Sequence, residues 1–274
     1  MFTLNCKGRL LTIDQPIVMG IINTTPDSFY EESRKSSIDA ALQQAEKMIH
    51  EGATILDIGA QSTRPGSTAV GPDEEIKRLS HIIPEIHQRF PDTILSVDTY
   101  YSTVAIHAAD MGASIINDIS GGQFDPVMIS TAARLRMPFV CMHVEGQKDT
   151  MHQTFVEGDI TTSVTDYFIK RIGLCTEEGL TDLILDPGFG FSKTIDQNFE
   201  LIRSVSQFKL LGKPVLMGVS RKSTIYKTLN CTAAEALNGT TVLNTAALLA
   251  GADILRVHDV KEAMEAILLT RYLL

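Results

Sequence analysis

The sequence predicts an α/β fold, a single (β/α)8 barrel that covers the chain from 1 to 274. The first observation is the length of 274 residues, of which 44% are hydrophobic. This suits one barrel of about 250 residues with a large core. The second is a short apolar run that recurs eight times and ends each time in polar or glycine residues. The third is a helix-like stretch after most runs, so strands and helices alternate as they do around a closed parallel sheet.

The apolar runs mark the predicted strands, because continuous runs of this length are typical of strands buried on both faces of a parallel sheet. They cover 17–23, 54–59, 93–98, 114–118, 138–143, 183–188, 214–220 and 254–258. An open, doubly wound sheet is the alternative, but eight evenly distributed units favour closure. The segment 1–16 precedes the first strand, and we expect 4–13 to form a small hairpin at the bottom of the barrel.

Amphipathic segments between the runs predict the helices. They cover 37–51, 73–90, 161–178, 198–211, 233–250 and 260–272. The first is followed by Gly52, a residue type suited to the end of a helix. No linker or change in composition marks a second domain.

Composition excludes several functions. Lys and Arg number 24 against 33 Asp and Glu, and the resulting net charge of −9 argues against a general nucleic-acid binder. No apolar run approaches the roughly 18 residues of a membrane span, and the N-terminus lacks the order of a signal peptide. The four cysteines are widely spaced, so we expect reduced thiols and a cytoplasmic protein.

Polar residues stand where the predicted strands end, and the carboxyl ends of barrel strands meet on one face. A single member of this set could equally cap a helix or bind loop backbone. Together they predict a polar ligand, since buried polar groups need partners. The residues are Asn23, Asp57, Asp98, Asn117, Asp118, His143, Asp186, Ser220, Arg256 and His258.

The residue types indicate the ligand's chemistry. Asp98, Asn117 and Asp186 supply carboxylates and an amide that suit a flat nitrogen heterocycle with adjacent N–H, NH2 and C=O groups. Lys222, after the seventh strand, could donate to such a ring, and its charge would lower the cost of burying the carboxylates.

A second subsite is predicted at the rim. Arg256 and His258 alternate in the eighth strand and, with Asn23 at the end of the first, suit a phosphate ester or a pyrophosphate with Mg2+. The loops at 23–29 and 62–67 each hold a proline, hydroxyls and a charged residue. We interpret them as mobile lids that carry chemistry, the alternative being ordinary connections.

In this order, the motifs resemble those of the dihydropteroate synthase family, and the resemblance extends from 17 to about 268. The motifs are MGIINTTPDSF at 19–29, DIG at 57–59, STRPG at 62–66, SVDT at 96–99, INDI at 116–119, MH at 142–143, DPGFGF at 186–191, SRKS at 220–223 and RVHDV at 256–260.

The resemblance implies condensation of (7,8-dihydropterin-6-yl)methyl diphosphate with 4-aminobenzoate by an SN1-like reaction that gives 7,8-dihydropteroate and pyrophosphate for folate synthesis. It also implies Mg2+ as the cofactor, sulfonamides as competitors and a homodimer. Two alternatives stay open. One is a methyltetrahydrofolate–corrinoid methyltransferase of the same fold, and the other is a non-catalytic pterin-binding protein.

The resemblance also assigns residues to each part of the substrates. The pterin would be bound by Asp98, Asn117, Ile119, Met142, Asp186, Gly218 and Lys222. The diphosphate would be bound by Asn23, Thr63, Arg64, Arg256 and His258, with Asn23 also the ligand of Mg2+. The 4-aminobenzoate would be bound by Phe29, Thr63, Pro65, Phe191, Ser220 and Lys222. The catalytic residues would be Arg64, Asp98, Asp186, Lys222 and Arg256.

The sequence departs from the family pattern at three places. Tyr-Glu-Glu-Ser at 30–33 replaces a usual Ser-Asp-Gly-Gly, and the loss of the glycines should stiffen the first loop. Gln61 stands where glutamate is common, and Lys148 stands where proline is usual. None of these changes removes a predicted ligand.

Overall fold

The computed structural model describes residues 1–24, 31–61, 70–148, 150–151 and 154–273, with only the backbone considered at 31–37. Eight parallel strands form one sheet, preceded by a hairpin of two antiparallel strands. The hairpin strands are β1 Phe2–Cys6 and β2 Arg9–Ile13. The barrel strands are β3 Ile17–Asn23, β4 Ile55–Gly59, β5 Ile94–Asp98, β6 Ile115–Asp118, β7 Phe139–Met142, β8 Leu183–Asp186, β9 Leu216–Met217 and β10 Ile254–Val257.

The strand order and one further contact close this sheet. Neighbours in the sheet run β8-β7-β6-β5-β4-β3-β10-β9, so β8 and β9 lie at its two edges. A parallel bridge between Leu185 of β8 and Val215, just before β9, joins those edges, and the Leu185 N–H donates to the Pro214 carbonyl over 2.9 Å. The predicted (β/α)8 barrel is confirmed, and the open sheet is not the architecture.

The N-terminal hairpin covers the bottom of the barrel, as the sequence predicts. Its inward side chains, Leu4, Cys6, Leu11 and Ile13, are buried together with the first inward residue of each barrel strand. Those strand residues include Ile55, Ile94 and Ile115. The hairpin thus keeps water out of the end of the barrel opposite the strand carboxyl ends.

Helices follow the strands and cover the outside of the barrel. They are α1 Glu31–His50, α2 Pro72–Leu79, α3 Ile83–Arg89, α4 Ser102–Asp110, α5 Met128–Leu135, α6 Ile160–Glu177, α7 Ile195–Arg203, α8 Val205–Phe208, α9 Ser223–Leu229, α10 Leu237–Leu249 and α11 Val260–Thr270. None of the described helices is long and apolar enough to cross a membrane.

Four predicted helices differ from the observed ones, and the first of them, predicted at 37–51, already begins at Glu31 in α1. The segment 73–90 forms α2 and α3 rather than one helix, because Pro84 has no N–H to donate and lies at the start of α3 instead of inside a longer helix. The segment 198–211 is divided among α7, α8 and a short 3-10 helix, Lys209–Leu211. The segment 233–250 begins only at Leu237, in α10. The predicted end at Gly52 is confirmed by its φ of +106°.

The alternation of side chains along each strand divides the core in two. Outward residues such as Leu56, Val97 and Leu255 pack beneath the helices in one large apolar cluster. Inward residues near the start of each strand, among them Met19 and Ile254, belong to the cluster that the hairpin covers. The inward positions two residues further along each strand are therefore the first that can face the open mouth.

The cysteines in the fold are all free thiols. Cys6, Cys141 and Cys175 are buried, and Cys231 is half-buried. Burial raises the pKa of Cys6 to about 12 and that of Cys175 to about 11, which keeps both thiols protonated and unreactive.

Candidate active site

A polar layer lies inside the barrel, directly above the apolar layer. It occupies the inward positions two residues beyond the apolar ones in the strands, at Asp57, Ser96, Asn117, Met142, Asp186, Gly218 and Arg256, and the next inward position of β5, at Asp98. Most of these side chains are polar, although each comes from a strand that is otherwise apolar. Burial of so many polar groups requires either mutual pairing or a ligand.

Arg256 joins two carboxylates across the barrel. Its Nε donates to Asp57 Oδ2 over 2.7 Å, and its Nη2 donates to Asp98 Oδ2 over 2.6 Å. The same Asp57 oxygen accepts from Asn117 Nδ2 over 2.8 Å. Asp57 is fully buried, so these contacts fix the positions of Arg256 and Asn117 from one central carboxylate.

The protonation states of Asp98 and Arg256 follow from their burial and from the charges beside them. Burial raises the pKa of Asp98 to about 7, and the charge of Arg256 acts against this. Burial lowers the pKa of Arg256, but the carboxylates of Asp57 and Asp98 outweigh it and raise the pKa above its ordinary value. Arg256 therefore stays charged, while Asp98 can respond to a ligand that donates or accepts a proton.

Lys222 follows β9, next to the loop that follows β8. Its Nζ donates to the Phe189 carbonyl and lies 4.5 Å from the centre of the Phe191 ring. Burial lowers the pKa of Lys222 to about 8, and the Asp186 carboxylate acts in the opposite direction. Gly190, with φ +82°, allows this approach, since a Cβ there would lie 2.8 Å from Lys222 Cδ.

Asp186 and Lys193 order the loop after β8. Asp186 Oδ1 accepts from the Gly188 N–H over 2.8 Å. The buried Lys193 Nζ donates to the carbonyls of Gly188 and Phe191, over 3.1 and 2.9 Å, and lies 3.0 Å from His143 Nδ1. Burial lowers the pKa of Lys193 to about 7. His143 is buried and serves this loop, so its role is structural.

An apolar wall stands beside the polar layer. Ile119, Met142 and Phe191, three residues that the resemblance assigns to the substrates, are buried in one cluster with Tyr100. Gly218 leaves open the space between the two cations, since a Cβ on it would lie 3.9 Å from both Arg256 Cβ and Lys222 Nζ. The polar layer, Lys222 and this apolar wall together line a cup at the mouth of the barrel. The cup combines an apolar surface for a flat ring with polar groups that can bind the ring's edge.

At the rim, Ser220 and His258 are paired, with Ser220 Oγ 3.0 Å from His258 Nδ1 and accepting from the His258 N–H over 3.2 Å. Asn23 ends β3 with an exposed side chain. No three His, Cys, Asp or Glu side chains come together as a metal site in the described part of the chain. Mg2+ commonly takes only one or two protein ligands and otherwise binds water and substrate phosphates. The Asn23 amide oxygen therefore fits Mg2+ when a diphosphate supplies other ligands.

Most predicted site residues come together in this cup. They are Asn23, Asp98, Asn117, Ile119, Met142, Asp186, Phe191, Gly218, Ser220, Lys222, Arg256 and His258. Phe29, Thr63, Arg64 and Pro65 lie outside the described residues. Arg256 differs from its predicted place, since its guanidinium is bound to carboxylates in the polar layer and does not belong to the rim alone.

The resemblance assigns no role to two residues of the cup. Asp57 is one of the strand-end residues that together predict a polar ligand, and strand alternation from Ile55 turns it inward, but it is not assigned to a substrate. Its partner Arg256 is 199 positions away, and no spacing reveals such a pair. Lys193 follows a predicted strand within a loop, and no pattern distinguishes it from a solvated lysine. Asp118 points outward and holds its own loop through Ser120 and Gly122.

Comparison with known proteins gives one consistent result. The family described as pterin binding enzyme matches residues 19–258. The dihydropteroate synthase of Escherichia coli K12 is 40% identical over 262 residues, which cover 95% of this chain and 92% of that protein. The structure resembles the Yersinia pestis dihydropteroate synthase in a sulfonamide complex, with a TM-score of 0.92, 38% identity and 99% of each chain covered. It also resembles the Xanthomonas albilineans dihydropteroate synthase with 4-aminobenzoic acid, with a TM-score of 0.90, 36% identity, and 99% and 97% covered.

Proposed function

Because the chain belongs to the pterin binding enzymes and, among them, to the dihydropteroate synthases, we propose that it makes 7,8-dihydropteroate. The substrates are (7,8-dihydropterin-6-yl)methyl diphosphate and 4-aminobenzoate, and pyrophosphate is the second product. The observation that carries this proposal is the cup in which Arg256, two carboxylates and an amide meet an apolar wall.

The pterin ring fits the polar layer. Asp98 and Asp186 can accept from the ring's N–H and NH2 groups, Asn117 can both donate and accept, and Lys222 can donate to the carbonyl or to a ring nitrogen. Ile119 and Met142 offer an apolar surface to the face of the ring. As the diphosphate leaves, positive charge spreads over the pterin, and the nearby carboxylates stabilise it.

The diphosphate fits the rim above Arg256. Nε and Nη2 of Arg256 are held by carboxylates, so Nη1 would be the nitrogen that donates to the leaving group, together with His258. Asn23 would hold Mg2+, which would neutralise charge on the leaving diphosphate. The C–O bond breaks and its electron pair stays on the pyrophosphate.

The 4-aminobenzoate fits the space beside Lys222 and Phe191, with Ser220 near its carboxylate and Phe29, Thr63 and Pro65 contributing from the two loops. The neutral amine attacks the pterin methylene carbon, a C–N bond forms, and the nitrogen then loses a proton. The arrangement requires no strong general base. Sulfonamides resemble 4-aminobenzoate and would compete for this position.

Magnesium, a homodimer and a cytoplasmic location remain parts of this proposal. The support for Mg2+ is the fit of Asn23 with a diphosphate ligand. The support for a dimer is the usual state of the family together with exposed apolar residues on α11, such as Leu268 and Leu269, which are 50% and 68% exposed. The support for the cytoplasm is the four free thiols.

The test is an incubation of the protein with both substrates and Mg2+, followed by mass spectrometry of the products. We expect dihydropteroate and pyrophosphate in equal amounts, and none when 4-aminobenzoate is omitted. The methyltransferase alternative predicts instead methyl transfer from methyltetrahydrofolate to a corrinoid. A pterin-binding protein without activity would bind the pterin and release no pyrophosphate, and either result would refute the proposal.

A further inference from the structure

Two adjacent tyrosines after β5 contact both ends of the connection between β4 and α2. The Tyr100 hydroxyl accepts from Gln61 Nε2, and the Tyr101 hydroxyl donates to the Val70 carbonyl over 3.2 Å. Gln61 lies two residues after the end of β4, and Val70 lies two residues before the start of α2. Each end of that connection is therefore attached to one of the two tyrosines.

Lys148, from the loop after β7, joins the two tyrosines. Its Nζ donates to the Tyr101 hydroxyl over 2.5 Å and lies 4.9 Å from the ring centres of both Tyr100 and Tyr101. The rings themselves are in contact, with their centres 4.6 Å apart. An ammonium group that binds a hydroxyl and two aromatic rings at once limits the movement of both side chains.

This group of residues is attached to the active site. Tyr100 is 4% exposed and belongs to the apolar wall with Ile119, Met142 and Phe191. A displacement of Tyr100 would therefore reach both the wall and Gln61. Gln61 and Lys148 are also two of the positions where the sequence departs from the family pattern, and the structure connects them through Tyr100.

We propose that Lys148 is a positioning residue that, through Tyr100 and Tyr101, fixes Gln61 and Val70, the residues that flank 62–69. This inference rests on the proposed function, because Thr63, Arg64 and Pro65 of that connection are assigned to 4-aminobenzoate and the diphosphate. Lys148 itself is assigned to neither substrate. Its contribution is to set the position of Gln61 after β4 and that of Val70 before α2, because small misplacements of binding groups weaken their contacts.

The principal variant is Lys148→Met, which keeps the length of the side chain and removes its charge. We expect kcat/KM for 4-aminobenzoate to fall between about 10-fold and 100-fold, since small misplacements of binding groups have effects of this size. The affinity for a dihydropterin without the diphosphate should change less than about twofold, because the polar layer is untouched. Lys148→Arg should restore most of the loss, and Lys170→Met, at an exposed lysine of α6, should behave as the wild type.

A double-mutant cycle with Tyr101→Phe tests whether Lys148 acts through the tyrosine. If it does, the double variant will lose little more than either single variant, because both remove the same link. Effects that simply multiply, or a Lys148→Met variant as active as the wild type, would overturn the proposal.

Hydrogen exchange of the ligand-free protein separates this proposal from the proposed function. Peptides containing Gln61 or Val70 should exchange faster in Lys148→Met than in the wild type or in Lys170→Met, whatever the reaction catalysed. Unchanged exchange in these peptides would refute the positioning role even if the enzyme makes dihydropteroate. Absence of dihydropteroate with faster exchange would refute the proposed function and keep the positioning role.

Discussion

Asp57 is the residue on which the geometry of the cup depends most directly. It is fully buried, and one of its oxygens receives both Arg256 Nε and Asn117 Nδ2. A buried carboxylate with a cationic partner costs less than an isolated one, but removal of either partner leaves a charge without compensation. The pairing therefore holds Asn117 and Arg256, which are proposed to bind the substrate, in fixed orientations.

Replacement of Lys222 tests a single residue of the site. Lys222→Ala should lower kcat/KM by about 100-fold to 1000-fold, the range typical for loss of one preorganised donor. The lysine is placed between Asp186 and the Phe191 ring, where it can contact both substrates. Steady-state kinetics would measure the loss, with Lys227→Ala, at an exposed lysine of α9, as the matched control. A Lys222→Ala enzyme with nearly normal kcat/KM would show that the assignment is wrong.

Among the elements, seven of the eight barrel strands could be predicted to within two residues at each end, because each is an apolar run with a clear polar end. The exception is 214–220, of which only Leu216–Met217 forms β9. The predicted 17–23 coincides with β3, and 254–258 exceeds β10 by one residue. The sequence predicts helix boundaries less well than strand boundaries. A break such as that between α2 and α3 depends on Pro84 within an otherwise helical pattern, and amphipathic spacing does not show on which side of it a helix ends.

Two adjacent leucines of the N-terminal hairpin differ in their burial, so each serves as a control for the other. Leu11 of β2 is 6% exposed and packs on the bottom of the barrel, whereas its neighbour Leu10 is 68% exposed. Leu11→Ala should lower the free energy of unfolding by about 2–5 kcal/mol, and Leu10→Ala should change it by less than about 0.5 kcal/mol. Urea denaturation measures both. Equal stability of the two variants would mean that the hairpin does not close the barrel.

At the scale of the molecule, the net charge of −9 describes the whole chain and not its cup. Inside the cup, Lys193, Lys222 and Arg256 lie among Asp57, Asp98 and Asp186, so charges of both signs alternate there. The ends of the predicted strands identify most of the polar residues of this site. They do not show which of these residues bond to each other, since contacts such as that of Arg256 with Asp98 join residues 158 positions apart and form only when the barrel closes.

The central claim is that the inward polar layer binds the pterin, and calorimetry with a dihydropterin tests it most directly. Asp98→Asn replaces an acceptor by an amide and leaves Arg256 with one carboxylate. The binding free energy of the dihydropterin should therefore be weaker in this variant than in the wild type by about 1–3 kcal/mol. Asp166→Asn, at an exposed aspartate of α6, should leave the affinity unchanged. Equal affinity in the wild type and Asp98→Asn would contradict the claim.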